Sequence, residues 1–337
     1  MKRGKTLSAI FAAIAMLVLI LDSRTALAGA TEGIQLCLHS VVPALFSFFI
    51  FSIILTNAAY GDRIPFMLPV GNMCGIPRGS EALLLVGFLG GYPTGAQAVA
   101  QAFETRKLTR RDAQRMLGFC SNAGPAFIFG ILASQFDIKW VPLALWIIHI
   151  FAAILTGWLL PGKSSEKISV SSPLKLSWTQ ALIRAVKSMA YICGWIILFR
   201  VAHAFLQRWI LWLFPTEIQI ITAGILELTN GCCMLSHIEN TGLRFIICSA
   251  MLAFGGLCVG MQTFSVCSST GIGWYFRGKT VQTLISIILS YFIQLLFFVQ
   301  VYQNLTLPVI STFLLCVTAV LIYKQKKISG NSLLLGV

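Results

Sequence analysis

The apolar residues of this chain fall into long uninterrupted stretches, without the alternation of a half-buried strand or the one-sided period of a surface helix. About 20 consecutive apolar residues are enough to cross a membrane as a helix. Such spans are predicted at residues 7–21, 41–60, 140–160, 189–206, 280–301 and 307–323. The first follows a basic start and ends near an A-x-A triplet, so an uncleaved span and a cleaved signal peptide are both open for it.

Four further apolar segments are interrupted by residues that weaken a helix. The interruptions are G-F-L-G-G-Y-P-T-G at 87–95, S-N-A-G-P at 121–125, G-I-L-E-L-T-N-G at 224–231 and the pair Gly255-Gly256. Proline removes a backbone donor, and glycine favours turns over helix. Because non-helical backbone persists at membrane depth only where it is buried in protein or lines a cavity, we predict an all-α polytopic membrane protein. It would have about eight membrane segments plus re-entrant hairpins made by broken helices.

The basic residues predict the direction of each segment, since Lys and Arg collect in cytoplasmic loops. On the favoured path both termini are cytoplasmic, and the span at 280–301 begins after Arg277 and Lys279. The mixed segment at 31–40 is expected in the membrane interface. The first broken hairpin then enters from the cytoplasm and the second from the opposite side. The basic residues that fall outside the cytoplasm or its interface are Arg24, Lys139, Arg200, Arg208 and Arg244.

The two halves therefore predict an inverted-topology repeat. Each half holds a span, a broken hairpin that closes on glycine, and a second interrupted helix. A polar, Ser-rich linker separates them. The predicted divisions are an N-terminal span at 1–30, a first Gate-type repeat at 31–161, a cytoplasmic linker at 162–176, a second repeat at 177–303, and a C-terminal span with a basic tail at 304–337.

Paired interruptions at corresponding positions are the best sequence pointer to a transporter binding site. Half-helices that end at such breaks offer free N–H groups and positive dipole ends to an anion. The side chains at the breaks can hydrogen-bond without a permanent charge, although any single Ser or Thr could instead satisfy kinked backbone or join helices. The candidate substrate-binding residues are Gly91, Tyr92, Pro93, Thr94, Gly95, Ser121, Asn122, Gly124, Thr229, Asn230, Gly231, Gly255, Gly256, Gln262 and Ser265.

Glu227 is the one carboxylate in the broken segments of the sequence, and an intramembrane acid is a functional hypothesis by default. An ionised Glu227 would repel an anionic solute. It is therefore either neutral when the solute is bound, or accompanied by a proton or Na⁺. Both cases make Glu227 the candidate coupling residue. The alternative is a structural partner for Arg200 or a backbone cap.

The composition excludes several protein classes. Of 337 residues, 57% are hydrophobic and 11% are charged, with a mean hydropathy of +0.83, whereas a soluble domain carries about 25% charged residues. A soluble enzyme, a secreted disulfide scaffold and a disordered chain are thus disfavoured. The net charge of +14 fits basic cytoplasmic loops better than a nucleic-acid partner. The cysteines form no C-x-x-C pair, the histidines are scattered, and no catalytic or phosphate-binding motif occurs, so we expect no metal, no cofactor and no enzyme activity.

The motifs resemble those of the sporulation integral membrane protein family of the YlbJ type. The resemblance rests on 87–96 with the basic helix that follows, on 121–125, on E-L-T-N-G at 227–231, and on F-G-G-L at 254–257 with Gln262. It covers roughly residues 35–305. The family carries the nucleoside-recognition or Gate domain and is similar to concentrative nucleoside transporters. This chain departs from the family pattern at Gly90, Gln97 and Ser121, where the family often has Ser, Lys and Asn.

The resemblance implies a protein of endospore-forming bacteria that acts in the mother cell at the outer forespore membrane. It also implies movement of dipicolinate, a small planar dicarboxylate, toward the maturing spore. The residues alone indicate a small polar or anionic solute. We therefore expect an integral membrane transporter of a small anionic solute, with a proton or Na⁺ as candidate coupling ion and no nucleic-acid partner; homo-oligomerisation is left open. The alternatives are a non-transporting scaffold or assembly factor of sporulation and a transporter of nucleosides or other small polar solutes.

Overall fold

A computed structural model describes residues 2–59, 64–162, 176–267 and 269–297. These residues are predominantly helical and contain no β-strand, which confirms the all-α prediction. The predicted span at 307–323 and most of the linker lie outside them. The helices are α1 (Lys2–Leu21), α2 (Ser23–Leu36), α3 (Val42–Ala59), α4 (Leu68–Cys74), α5 (Glu81–Leu89), α6 (Thr94–Glu104), α7 (Arg110–Cys120), α8 (Pro125–Gly130), α9 (Val141–Leu159), α10 (Trp178–Trp209), α11 (Thr216–Leu226), α12 (Leu228–Cys233), α13 (Thr241–Phe254), α14 (Gly256–Val266) and α15 (Gly273–Phe297).

Several of these helices are long and apolar enough to cross a membrane. By length and composition, the candidate spans in the described residues are Ser23–Leu55, Val141–Leu159, Trp178–Trp209, Thr241–Val266 and Gly273–Phe297. A shorter apolar helix, Ala9–Leu21, lies within α1. The prediction of a polytopic membrane protein is therefore confirmed.

The sequence predicted that the segment at 31–40 lies in the membrane interface, but this segment does not form a separate element. It continues the helix that begins with α2 and passes through a π-helical turn, Cys37–Val41, into α3. Two glycines explain the burial of this helix against α10. A Cβ on Gly29 or on Gly33 would lie 2.9 Å from the Cα of Val201 or Ile197, so glycine permits close contact of the two backbones. Turns of π-helix occur frequently at functional sites.

The helix termini lie at two ends of the bundle, and contacts between loops show which termini lie at the same end. At one end, named the basic end, the Arg111 side chain lies beside Gly162 and Arg110 donates to the Thr270 carbonyl. At the other, named the far end, Arg244 donates to the Gln135 carbonyl at 3.1 Å. The rings of Trp140 and Phe297 also meet at the far end. Helix α9 connects the two ends, and its 19 residues give a length of about 28 Å.

The two broken hairpins enter the bundle from opposite ends. Helices α5 and α6 precede the basic loop at 105–109, and α7 then leaves from the basic end. Helices α11 and α12 follow α10 and precede α13 in the chain. Arg208, in the last turn of α10, pairs with Asp22 at 3.0 Å, and Arg244, near the start of α13, lies at the far end. The second hairpin therefore enters from the far end. This opposite entry is the arrangement predicted from the two sequence halves. The residue limits proposed for the repeats stay predictions.

One element boundary changes the charge assignment. The span predicted to begin at residue 280 begins earlier, because α15 starts at Gly273. Lys279 therefore lies inside the helix and is fully buried, not in a cytoplasmic loop. Arg115 is likewise buried, and it donates to the carbonyls that end α4 and α9, those of Gly75 and Gly157 among them. The placement of Lys279 in a loop before its span is therefore wrong, whereas Arg115 lies at the helix termini of the basic end, where the sequence placed it.

Candidate functional site

The two interruptions of the first half are in direct contact. Helices α5 and α6 fold back on each other at residues 90–93, where Gly91 has a φ of +75°. A Cβ on Gly124 would lie 2.9 Å from the Cα of Gly91, and a Cβ on Gly95 would lie 1.9 Å from the carbonyl oxygen of Cys120. Real Cβ atoms essentially never approach so closely, so the contact between the two breaks requires glycine.

The second half repeats this construction. A Cβ on Gly231 would lie 2.3 Å from the Cα of Gly224, which brings α12 back against α11. Gly255 and Gly256 have φ values of +82° and +81° and separate α13 from α14. A Cβ on Gly256 would lie 3.0 Å from the Gly224 carbonyl oxygen. The predicted breaks therefore exist in both halves, and within each half they pack on one another.

Tyr92 joins the two halves. Its hydroxyl donates to the Leu252 carbonyl at 3.2 Å, and its ring lies against Gly255, where a Cβ would come within 3.1 Å of the Tyr92 hydroxyl oxygen. Beside it is a cavity of about 40 Å³, named the central cavity, between the breaks of both halves. Its lining comprises Val41, Leu45, Gly91, Tyr92, Ala123, Gly124, Phe127, Ile192, Ile196, Glu227, Leu228, Thr229, Val259 and Gln262.

Lys279 is the functional candidate that the sequence reasoning missed. Its ammonium group donates to the Tyr92 hydroxyl at 3.1 Å, to the Gln282 side-chain oxygen at 2.7 Å and to the Ser121 carbonyl. All three acceptors are neutral, and no carboxylate in the described part of the chain forms an ion pair with Lys279. A signal was present in the sequence, because Lys279, Gln282 and Ser286 recur at helical spacing. In the structure they share a buried face of α15.

A polar network extends from Lys279 along the second break of the first half. Gln282 donates to the Asn122 side-chain oxygen at 3.0 Å, and Asn122 donates to the Phe119 carbonyl. The Ala123 backbone N–H donates to His149 Nε2 at 3.0 Å. Within the described residues, the Ser121 hydroxyl and His149 Nδ1 are buried without a hydrogen-bond partner. The network holds the break in place and leaves polar capacity next to the lysine.

Glu227 occupies the break of the second hairpin as a backbone cap. Its two carboxylate oxygens accept from the N–H groups of Thr229 at 2.9 Å and Asn230 at 2.6 Å, at the start of α12. These are the donors that the sequence analysis assigned to a solute anion, so that part of the expectation is wrong for α12. Glu227 is buried but still lines the central cavity. Its coupling role stays a prediction.

Arg200 contacts other groups than the Glu227 carboxylate. It pairs with Glu32 of α2 and donates to the Asn230 side-chain oxygen, and one of its nitrogens lies 3.1 Å from His203 Nδ1. The ion pair joins α10 to α2, and the hydrogen bond to Asn230 joins α10 to α12. Asn230 is therefore oriented by Arg200 and does not line the central cavity.

The other candidate residues fall into different surroundings. Thr94 donates to the Gly90 carbonyl at 3.0 Å, and Pro93 is the residue before α6 begins. Thr229 and Gln262 line the central cavity. Ser265 is exposed and donates to the Met261 carbonyl one turn earlier, so the structure does not bring it into the cluster.

Two larger cavities lie on either side of the central one. The first, of about 290 Å³ and named the basic cavity, lies near the basic end and is lined by Ile53, Asn57, Thr94, Gln97, Ala98, Gln101, Thr105, Lys107, Arg184, Lys187, Ser188, Tyr191 and Val266. The second, of about 460 Å³ and named the far cavity, is lined by His39, Ser40, Pro43, Ala44, Gly130, Ile131, Ser134, Gln135 and Cys233. Thr94 lines the basic cavity and lies two residues from Tyr92, and Ser40 lines the far cavity and precedes Val41. Tyr92 and Val41 both line the central cavity. No cluster of His, Cys, Asp and Glu that could hold a metal ion occurs in the described part of the chain.

Comparison with known proteins gives one informative match. The chain is 24% identical to the sporulation integral membrane protein YlbJ of Bacillus subtilis (strain 168), over 74% of this chain and 73% of that protein. The match supports the YlbJ-type family. No family model matches the chain, and no solved structure matches it significantly.

The similarity to YlbJ also supports a membrane role in sporulation, in agreement with the candidate spans of the fold. It covers most of both chains, so it is not limited to one motif. The nucleoside-recognition domain, which the resemblance implied, is not confirmed by these comparisons.

Proposed function

We propose that this protein transports a small anionic solute across the membrane during sporulation, by alternating access. The solute favoured by the family resemblance is dipicolinate. The proposed setting is the outer forespore membrane, with the termini and the basic end in the mother-cell cytoplasm. Uptake into the forespore compartment would then support spore maturation.

The observation that carries the proposal is the meeting of broken segments from both halves around one central cavity. Tyr92 comes from the first half, and Glu227 and Gln262 come from the second. A binding site between two repeats that enter from opposite sides is the arrangement used by many secondary transporters. The basic and far cavities lie toward opposite ends of the bundle, which supports access to this site from each side in turn.

The charge of the cluster supports an anion. Lys279 is a buried amine whose described partners are all neutral, and its protonated form is costly in the interior unless a counter-charge is supplied. Tyr92 connects it to the central cavity, because the same side chain lines the cavity and accepts a hydrogen bond from Lys279. A carboxylate that replaces the Tyr92 hydroxyl as partner of Lys279 would provide that counter-charge.

The test is uptake of radiolabelled dipicolinate by proteoliposomes that contain the purified protein. We expect saturable uptake above that of protein-free liposomes, competed by unlabelled dipicolinate and unaffected by an equal concentration of uridine. Competition by uridine alone would assign a nucleoside as the solute. Absence of uptake under pH and Na⁺ gradients of either direction would favour the scaffold alternative and contradict the proposal.

A further inference from the structure

The basic cavity combines a charged mouth with an uncharged interior. Its cationic residues are Lys107, which follows α6, and Arg184 and Lys187 of α10. Among the described residues that line it, none is acidic. Arg184 and Lys187 are exposed, and no described carboxylate lies within ion-pair distance of either. Residues three positions apart share one helix face, so these two charges act on the same space.

The interior of this cavity is lined by groups that hydrogen-bond without charge. Gln97 of α6 donates to the hydroxyl of Ser188 of α10 at 3.0 Å, which fixes the two helices at the cavity wall. Gln101 lies one turn from Gln97 toward the mouth. Thr94 is the innermost polar residue of α6 and stands two positions from Tyr92, which lines the central cavity. The polarity thus changes from cationic at the mouth to neutral next to the break.

We propose that the basic cavity binds a carboxylate or phosphate anion through Arg184, Lys187 and Lys107, and so concentrates an anionic solute next to the first hairpin. Anion binding by the cavity does not depend on the proposed function, whereas the delivery of solute to the first hairpin rests on it. Low-dielectric walls lined by one sign of charge focus the field and raise the local concentration of counter-ions. A cavity of about 290 Å³ is close to the lower limit of small-molecule sites. The same chemistry would also bind an anionic lipid headgroup.

The test measures the electrostatic potential inside the cavity with charged thiol reagents. Gln101→Cys and, in a separate protein, Thr105→Cys place a thiol on the cavity wall. Each is reacted in zwitterionic nanodiscs with an anionic and a cationic methanethiosulfonate, and modification of that site is read by peptide mass spectrometry. We expect the anionic reagent to react faster, and Arg184→Gln or Lys187→Gln to lower the anion-to-cation rate ratio by about fivefold each.

Arg111→Gln is the matched control, because Arg111 is an exposed cation at the same end that does not line the cavity. It should leave the ratio unchanged. A ratio equal for both reagents in the parent, or lowered as much by Arg111→Gln as by Arg184→Gln, would overturn the proposal. Two cysteine positions guard against a misfolded variant.

Protection experiments identify the source of the anion. Slower labelling with millimolar dipicolinate or inorganic phosphate supports a soluble anion as ligand, whereas slower labelling only in phosphatidylglycerol nanodiscs supports a lipid headgroup. Absence of protection by all three overturns the site. If protection is seen but proteoliposomes show no uptake, the transport proposal fails and the anion site stands. If uptake is seen without protection, the anion site fails and the transport proposal stands.

Discussion

At the scale of single residues, Lys279 and Glu227 are two buried ionisable side chains with different surroundings. The Glu227 carboxylate already receives two backbone N–H groups, so the fold supplies its partners. The Lys279 ammonium has only neutral acceptors among the described residues. Because a charge-assisted partner is worth more than a neutral one, Lys279 is the better candidate for contact with an anionic solute.

Lys279→Gln is expected to lower dipicolinate uptake by about 10- to 100-fold, since a hydrogen bond to a charged group contributes about 1.5–3 kcal/mol. Gln can still bond to the Tyr92 hydroxyl, so the variant should insert and fold. Ser290→Ala is the matched control, because Ser290 lies on the same buried face of α15 and donates only within its helix. Normal uptake by Lys279→Gln, measured in proteoliposomes, would remove the lysine from the site.

Glu227→Gln is expected to lower the free energy of unfolding by about 1 kcal/mol, within the range for loss of a helix cap. The Gln oxygen can replace one carboxylate acceptor, but its NH₂ group would face the second backbone N–H. Thermal unfolding in detergent measures the effect. The exposed Glu239→Gln serves as control, and equal stability of the two variants would show that the cap contributes little. If Glu227 also couples transport, Glu227→Gln should in addition lose the pH or Na⁺ dependence of uptake.

The sequence predicted part of this site and missed part of it for physical reasons. Glycine, proline and asparagine reveal a break locally, so Gly91, Asn122 and Gly255 could be found without a structure. The position of Lys279 could not be inferred from charge counts, because a lysine near the start of a span usually lies in a cytoplasmic loop. Its helical spacing with Gln282 and Ser286 indicated a polar face of α15, but the packing of α15 against α7 and α9 was needed to show that this face is buried.

At the scale of elements, the hairpins depend on glycines that touch backbone atoms. Gly87 of α5 and Gly95 of α6 both pack against the carbonyl of Cys120 at the end of α7, and Gly231 packs against Gly224. The sequence indicated these glycines as breaks or as ligand contacts. The structure shows that Gly95 and Gly231 allow two helices to approach, and ligand contact at these glycines stays a prediction. Sequence reasoning could not separate the two uses because both need a missing side chain.

Gly95→Ala is expected to destabilise the protein by about 3 kcal/mol or more, because the added methyl overlaps the Cys120 carbonyl and the core cannot yield. The readout is the fraction of monodisperse protein after heating, followed by size-exclusion chromatography. Gly194→Ala is the control, since no atom lies within 4 Å of a Cβ at this exposed helical position. It should be neutral or stabilising by up to about 1 kcal/mol. Equal stability of both variants would contradict the close packing.

At the scale of the whole molecule, the loops separate into a basic end and a far end, and the two hairpins enter from opposite ends. The charge pattern predicted this arrangement before any contact was known, because each basic loop limits the direction of the helices beside it. The cavities could not be predicted in this way. They depend on the packing of α3, α6 and α10 and on the π-helical turn at Cys37–Val41.

Thiol labelling of intact cells tests the direction of the fold. In a cysteine-free background, Asp137→Cys at the far end should react with an impermeant maleimide from outside, whereas Ser169→Cys in the linker should react only after the membrane is opened. Ser169 lies outside the described residues, but Gly162 before it lies beside Arg111 at the basic end. Labelling of both positions from the same side would contradict the opposite entry of the two hairpins.

Counterflow in proteoliposomes tests the central claim most directly. Vesicles that contain the protein are loaded with unlabelled dipicolinate and diluted into a trace of labelled dipicolinate. A site that alternates between the two sides predicts transient accumulation of label above equilibrium with the parent and with Ser290→Ala, and accumulation about 10- to 100-fold slower with Lys279→Gln. Label that only approaches equilibrium, at equal rates with all three proteins and with protein-free vesicles, would contradict transport through the central cavity.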